Sequence, residues 1–145
     1  MTLDKEDTNI FNATMIAEKV VDGVVFRLYD NRVFHVVIPK MKKIGRKTIQ
    51  DGYDFLDENG AGQFYNVYEF SSFSDIEPEV REWAADNNGN HYTFTDAIVI
   101  GSLSQKIITD FYLKFNKPNK PTKIFYALSK AVEWTNEQIA KRKSE

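Results

Sequence analysis

Residues 95–126 read TDAIVIGSLSQKIITDFYLKFNKPNKPTKIFY, and this stretch predicts a strand, a helix and a second strand in succession. Residues 97–100 form an unbroken apolar run, which is typical of a strand covered on both faces in a parallel sheet. Gly101 ends that run. Ser102, with Gln105 three residues later, indicates a helix start, because the hydroxyl and the amide can satisfy free backbone donors of the first turn.

The helix in this stretch has one wide apolar stripe, formed by Leu103, Ile107, Ile108, Phe111 and Phe115. Pro118 and Pro121 prevent the helix from continuing, and residues 123–126 form the next strand. A helix between two buried strands implies a right-handed crossover and therefore a parallel pair.

The composition suits one domain with an ample core. The chain has 145 residues, of which 42% are hydrophobic and 14% aromatic. It has no cysteine, which excludes disulfides, thiolate metal sites and thiol nucleophiles. The 19 basic and 21 acidic residues leave a net charge of -2, so any contact with an anionic surface must be local. We expect a cytoplasmic protein with no leader, no transmembrane segment and no nucleic-acid partner.

The remaining elements follow from local patterns along the chain. Residues 1–12 are polar and predict a flexible tail, and residues 13–145 predict a single domain. Residues 13–21 suit either a short helix or an edge strand. Val24–Tyr29 and Val33–Ile38 are β-branched and aromatic runs separated by a polar turn, which predicts an antiparallel hairpin.

A series of helices and strands completes the predicted order. The sequence predicts a helix over residues 48–59, a strand over residues 64–70 and a helix reaching Trp83 and about Asp86. A last helix, capped by Ser129, follows the stretch quoted above. The fold class is therefore α/β, with one mixed and mostly parallel sheet in a β-β-α-β-α-β-α-β-α order.

The closing segment NKPNKPTKIFYALSKAVEW, preceded by DFYLKFN, resembles SpoIIAA-like, STAS-type domains and a bacterial branch of them in particular. The resemblance spans residues 24–139. It implies a sheet with helices mainly on one side, acting as a non-enzymatic protein interaction module in bacterial signalling. Such domains are similar in shape to lipid-binding CRAL-TRIO domains. The alternative is therefore binding of a small apolar or lipid-like ligand, or peripheral membrane association, through a CRAL-TRIO-like pocket.

The junction after the strand at residues 64–70 reads FSSFSDIEPEVREW, where phosphorylated members of that family carry aspartate, serine, serine and glycine. Here acidic residues occupy the place of the phosphoacceptor and the glycine is absent. We therefore expect a permanently acidic interaction surface formed by Ser74, Asp75, Glu77 and Glu79. The alternative is a plain helix start, since acidic residues in a first turn are favoured by the helix dipole.

Two further candidate surfaces come from the residues themselves. Lys43 and Arg46 lie in a basic connection that should emerge at the same sheet edge as Gly101 and Ser102, which predicts an anion or ligand site. A plain helix cap and a solvated connection are the alternatives. On the quoted helix, Tyr112 and Leu113 are candidates for an exposed apolar face, unless Tyr112 packs at the margin of the stripe.

No catalytic set is visible in the sequence. His35 and His91 suit structural or surface roles, and Glu69 would suit a general base only beside a nucleophile that spacing does not supply. We expect no metal, no cofactor and no enzyme activity. The expected partner is a protein of unknown identity, with a small hydrophobic ligand as the alternative, and a homodimer is compatible with the sequence.

Overall fold

The computed structural model describes residues 10–80, 92–103, 105–106, 110 and 120–144. The strands in this part are β1 (Met15–Val21), β2 (Val24–Tyr29), β3 (Val33–Ile38), β4 (Lys43–Ile44), β5 (Phe64–Phe70), β6 (Asp75–Ile76), β7 (Thr93–Val99) and β8 (Thr122–Phe125). The helices with described bounds are α1 (Arg46–Glu58) and α2 (Leu128–Lys143). Helical backbone also occurs at residues 78–80, 103, 105–106 and 110.

The main sheet has six strands in the order β1-β2-β3-β5-β7-β8. The first three strands are antiparallel neighbours, and β3, β5, β7 and β8 pair in parallel. The predicted hairpin and the predicted parallel set are both confirmed, and so is the α/β class with one mostly parallel mixed sheet.

Residues 15–21, for which a helix and an edge strand both stood open, form the edge strand β1. β1 and β2 join through a two-residue turn, in which Asp22 has φ 51° and Gly23 has φ 82°. Positive φ at both central positions is the requirement of the tight hairpin turn that Asp-Gly favours. The strand therefore forms by pairing locally with β2.

A second, two-stranded sheet pairs β4 with β6 in parallel and sets Lys43 opposite Asp75. The amide of Asp75 donates to the Lys42 carbonyl, and the amide of Glu77 donates to the Ile44 carbonyl, each at 3.0 Å. The prediction that Asp75 lies in the first turn of a helix is therefore wrong, because strand pairing takes up this backbone. The predicted continuation of that helix to Trp83 and Asp86 lies outside the described residues.

Two hydrophobic clusters sandwich the main sheet. On the face covered by α2, here the α2 face, the buried residues are Phe11, Tyr29, Val33, Tyr65, Val67, Ala97, Val99, Phe125, Ala131 and Ile139. On the face covered by α1, here the α1 face, they are Val24, Phe26, Leu28, Phe34, Val36, Ile38, Ile44, Phe55, Leu56 and Phe64.

Phe11 is 0% exposed, so the predicted tail boundary at residue 12 is wrong for this residue. Residues 1–9 lie outside the described part.

The two helices start differently from the prediction. α1 begins at Arg46, two residues earlier than expected, and its Gly52 permits close packing, since a Cβ there would lie 3.3 Å from Cε1 of Phe26. α2 begins at Leu128 after Ala127, which has no side chain able to cap, so Ser129 lies inside the helix and is not its cap. α2 packs mainly against β5, β7 and β8.

Candidate functional site

The carboxyl ends of the parallel strands meet at one edge of the sheet, and Gln105 ties the loops there together. Its Oε1 accepts the Gly101 amide at 2.9 Å, and its Nε2 donates to the carbonyls of Ser71 at 2.9 Å and Ser74 at 2.8 Å. The backbone amide of Gln105 donates to Ser102 Oγ at 3.2 Å, which is the helix cap predicted from the sequence. The side-chain amide of Gln105 therefore bridges Gly101 and the carbonyls of Ser71 and Ser74, so the loop after β7 is held to the loop after β5.

The predicted acidic surface does not include Ser74. This residue is buried, and its hydroxyl donates to the Ser71 carbonyl. Asp75 is half-buried in β6, and Glu77 is half-buried with Oε2 3.6 Å from the position of a Cβ on Gly45, the residue before α1. The Glu77 carboxylate therefore faces the positive end of the α1 dipole. Of the four residues, Glu79 is the one that the structure exposes.

The predicted anion-site residues share this edge without forming one cradle. Lys43 is exposed in β4, and Arg46 is the exposed first residue of α1. Gly101 and Ser102 follow β7 and connect to the β5 loop through Gln105. Lys43 instead lines a shallow depression with Glu77, Pro78 and Glu79. Lys43 therefore lies among carboxylates. Gln105 hydrogen-bonds to both Gly101 and Ser102 at the turn after β7.

Two loop tips at the same edge expose large apolar side chains. Met41, after β3, is 78% exposed and Phe73, after β5, is 77% exposed. Both have a left-handed backbone, with φ of 61° and 60°. The Met41 amide donates to the Ser72 carbonyl at 3.0 Å, so the two loops lie side by side. We call residues 40–43 and 72–73 the Met41–Phe73 tip.

The α2 face carries a second exposed surface, on the strands that α2 does not cover. In the sheet register Val20 lies opposite Val25, and Val25 lies opposite Val37. Opposite residues of an antiparallel pair point to the same face. Val37 lies four residues after the buried Val33 on β3, so it points to the α2 face as Val33 does. Val20 is exposed, and Val25 and Val37 are half-buried. We call these three residues the valine row.

Two polar side-chain pairs flank the valine row. Arg27 Nε donates to Glu18 Oε2 at 2.8 Å, and His35 Nε2 lies 2.9 Å from Glu69 Oε1. His35 is buried, with its ring 5.5 Å from that of Phe11, and its Nδ1 has no partner among the described residues. The sequence offered both His35 and Glu69 separately, and only the parallel register of β3 and β5 brings them together.

A polar pair on the α1 face was also missed by the sequence reasoning. Asn66 Nδ2 donates to Asp96 Oδ1 and to Thr93 Oγ1, each at 3.0 Å. Burial raises the pKa of the Asp96 carboxyl to about 6, and the hydrogen bond from Asn66 lowers it. Asn66 lies opposite Asp96 in the β5–β7 register. The available signal was Asn66 in the middle of the predicted strand at residues 64–70 and Asp96 directly before the predicted strand at residues 97–100.

Residues 20–139 match the sequence profile of a family described as Domain of unknown function (DUF7793). The chain belongs to this family. No curated protein and no solved structure matches the chain. The valine row and the Met41–Phe73 tip both fall inside the range shared with the DUF7793 family.

Some predicted residues lie outside the described part of the chain, namely His91, Tyr112 and Leu113. Across the described ranges, no three His, Cys, Asp or Glu side chains are grouped so that they could hold a metal ion. In the same ranges, no helix combines the length and apolar character needed to cross a membrane.

Proposed function

We propose that this chain is a non-enzymatic protein interaction module that receives an amphipathic helix of a partner protein on the valine row. The observation that carries this proposal is the row itself, in which three aligned aliphatic side chains on adjacent strands are left partly open beside two polar side-chain pairs. The resemblance to STAS-type domains supports the same class of function. We propose on that ground that the chain has the strand order of the STAS fold and acts in bacterial signalling.

The width of the sheet supports a helix as the occupant. Neighbouring strands lie about 4.8 Å apart and a helix with side chains is about 10 Å across, so one helix covers roughly two strands of a sheet. α2 packs mainly on β5, β7 and β8, and Phe11 packs beside it against Tyr29 and His35. Among the described residues, the part of this face that stays open is the valine row near the β1–β2 turn, and one more helix can lie there. A partner helix there would set its apolar stripe on the valine row and its polar flank against Glu18 and Arg27.

The test begins with a photo-crosslinking amino acid placed at Val25 in the native cell, with the same group at Phe73 as the control position. A captured protein is then purified and its affinity is measured by calorimetry. Replacing all three valines by threonine keeps the side-chain shape and the strand propensity but adds hydroxyls that lose water on binding, at about 1 kcal/mol each. We expect roughly a hundredfold weaker binding.

The control variant for this measurement is Met41→Asn with Phe73→Asn, which removes exposed apolar surface from a different part of the molecule. It should leave the affinity of the partner unchanged. Direct binding that survives the triple threonine change would show that the valine row is not the docking surface.

The alternative function, binding of a small apolar ligand, requires an enclosed apolar cavity. The depression formed by Lys43, Glu77, Pro78 and Glu79 is open and lined by three charged side chains, which suits a polar contact better. Native mass spectrometry of the freshly purified chain tests this alternative directly. A retained small molecule would favour the ligand function over the interaction module.

A further inference from the structure

Six large apolar side chains are strongly exposed in the described residues, namely Ile16, Val20, Met41, Phe73, Leu103 and Tyr126. The last four follow β3, β5, β7 and β8, so they line the carboxyl edge of the parallel strands. Met41 and Phe73 are the most exposed of all, and the backbone bond between their loops makes them neighbours. This edge therefore ends in a convex apolar tip.

We infer that the Met41–Phe73 tip inserts into an anionic lipid surface. This function goes beyond the helix-binding surface proposed above and uses different residues. The tip lies at the carboxyl edge of the sheet, whereas the valine row lies on the α2 face of β1, β2 and β3.

The backbone at the tip supports a functional role for its apolar side chains. Both residues have positive φ, a conformation that side chains other than glycine, asparagine and aspartate adopt at a cost of about 1 kcal/mol or more. The left-handed turns direct two bulky side chains outward where a polar residue would be favoured by both backbone and solvent. Exposed apolar groups held in this way mark a contact surface.

The charges around Met41 fit an anionic bilayer. Lys40, Lys42 and Lys43 flank it directly, and none of them has an ion-pair partner among the described residues. Long lysine stems can keep the ammonium groups at the headgroup level while the tip enters the acyl region. Each basic residue close to an anionic membrane strengthens binding roughly fivefold.

The acidic groups on the neighbouring β6 segment oppose this attraction only in part. The Asp75 carboxylate accepts the Ile76 amide at 2.7 Å, and the Glu77 carboxylate faces the start of α1. Glu79 is exposed and shares the depression with Lys43. Lys40 and Lys42 therefore remain as the cations beside the apolar tip, with Lys43 between the tip and the acidic segment.

A lipid surface fits this shape better than a folded protein partner. Two protruding side chains on separate loops need a matching pocket to be buried by a protein, whereas a bilayer deforms around them. A small apolar insertion and basic flanks are two membrane-binding signals, and stable peripheral attachment requires two.

The experiment is co-sedimentation of the full chain with vesicles of phosphatidylcholine alone and of phosphatidylcholine mixed with phosphatidylglycerol. We expect binding to the mixed vesicles, weak or no binding to the neutral ones, and loss of binding at high salt because the charges are screened. Absence of binding to the mixed vesicles at low salt, or equal binding to both compositions, would overturn the inference.

Two variants separate the apolar and the charged contributions. Met41→Asn with Phe73→Asn suits the left-handed backbone, so folding is preserved, and it should weaken binding about tenfold or more through lost apolar insertion. Lys40→Gln, Lys42→Gln and Lys43→Gln together should weaken it roughly a hundredfold. Thermal melting of each variant verifies that the chain is folded.

Matched controls give the result its specificity. Ile16→Thr with Val20→Thr removes two exposed apolar side chains from β1, and Lys123→Gln, Lys130→Gln and Lys141→Gln remove three exposed charges from β8 and α2. Both controls should bind as the unchanged chain does. Equal losses in the tip variants and the controls would overturn the inference, as would a tip that contacts a purified protein partner but no vesicle.

Discussion

Replacing Asp96 by asparagine should change the way the stability of the chain depends on pH. Asp96 is partly buried on the α1 face of β7, where the charged carboxylate is poorly solvated. Burial therefore raises the pKa of the Asp96 carboxyl from an ordinary value of 3.8 to about 6. The folded protein then binds this proton more tightly than the unfolded chain. The protonated carboxyl therefore stabilises the fold at low pH, and this contribution is lost as the pH rises through about 6.

The magnitude follows from the linkage between proton binding and folding. At about 1.4 kcal/mol for each pKa unit, the difference between 3.8 and about 6 corresponds to about 3 kcal/mol in total. Most of it, about 2.5 kcal/mol, is lost between roughly pH 4 and pH 7. Asn66 can still donate its hydrogen bond to the amide oxygen that asparagine provides at position 96, so the substitution removes the titration and keeps the contact.

The assay is urea denaturation of the unchanged chain and of Asp96→Asn at several pH values between about 4 and 7. The difference in unfolding free energy between the two proteins should shift in favour of the variant by about 2.5 kcal/mol across this range. Asp54→Asn changes an exposed carboxyl on α1 that accepts a hydrogen bond from Gln50, and it reports the effect of removing one negative charge. A difference between Asp96→Asn and the unchanged chain that stays constant with pH would refute the reasoning.

Four further substitutions test packing and hydrogen bonding at single positions by the same denaturation assay. Phe11→Ala should lower the unfolding free energy by about 3 to 5 kcal/mol, because the ring is fully buried on the α2 face, and a loss below 1 kcal/mol would return Phe11 to a flexible tail. Thr135→Val should raise the unfolding free energy by about 1 kcal/mol, since the buried Oγ1 of Thr135 has no hydrogen-bond partner among the described residues. Thr122→Val, which removes a hydrogen bond to the Lys120 carbonyl, should lower it. Gln105→Leu should cost about 2 to 3 kcal/mol and speed hydrogen exchange at the Ser74 amide, and unchanged exchange would contradict the tethering role.

Local patterns in the sequence were sufficient for the class of fold. The apolar run at residues 97–100, the cap at Ser102 and the strand at residues 123–126 predict the parallel pair that β7 and β8 form. The hairpin of β2 and β3 follows in the same way from two β-branched runs and a polar turn. These predictions hold because strand and helix preferences depend on neighbours within a few residues.

The candidate sites depended on contacts that local patterns do not report. Ser74 was expected at the surface, but the pairing of β6 with β4 and the amide of Gln105 enclose it. Asp75 was expected in a helix turn and lies in a strand for the same reason. A two-residue strand is too short to produce a periodic pattern, so its pairing partner decides its conformation.

The sequence by itself determined the strands β2, β3, β5, β7 and β8 and the helices α1 and α2, the parallel pairing of β5, β7 and β8, and the exclusion of thiol chemistry. It did not determine β1, β4 or β6. The tertiary structure alone decided which side chains meet. His35 reaches Glu69, Asn66 reaches Asp96, and three valines align across β1, β2 and β3, because the register of each strand sets its partners. Register depends on the burial of whole faces by distant parts of the chain, and a shift of one residue would turn every side chain to the opposite face.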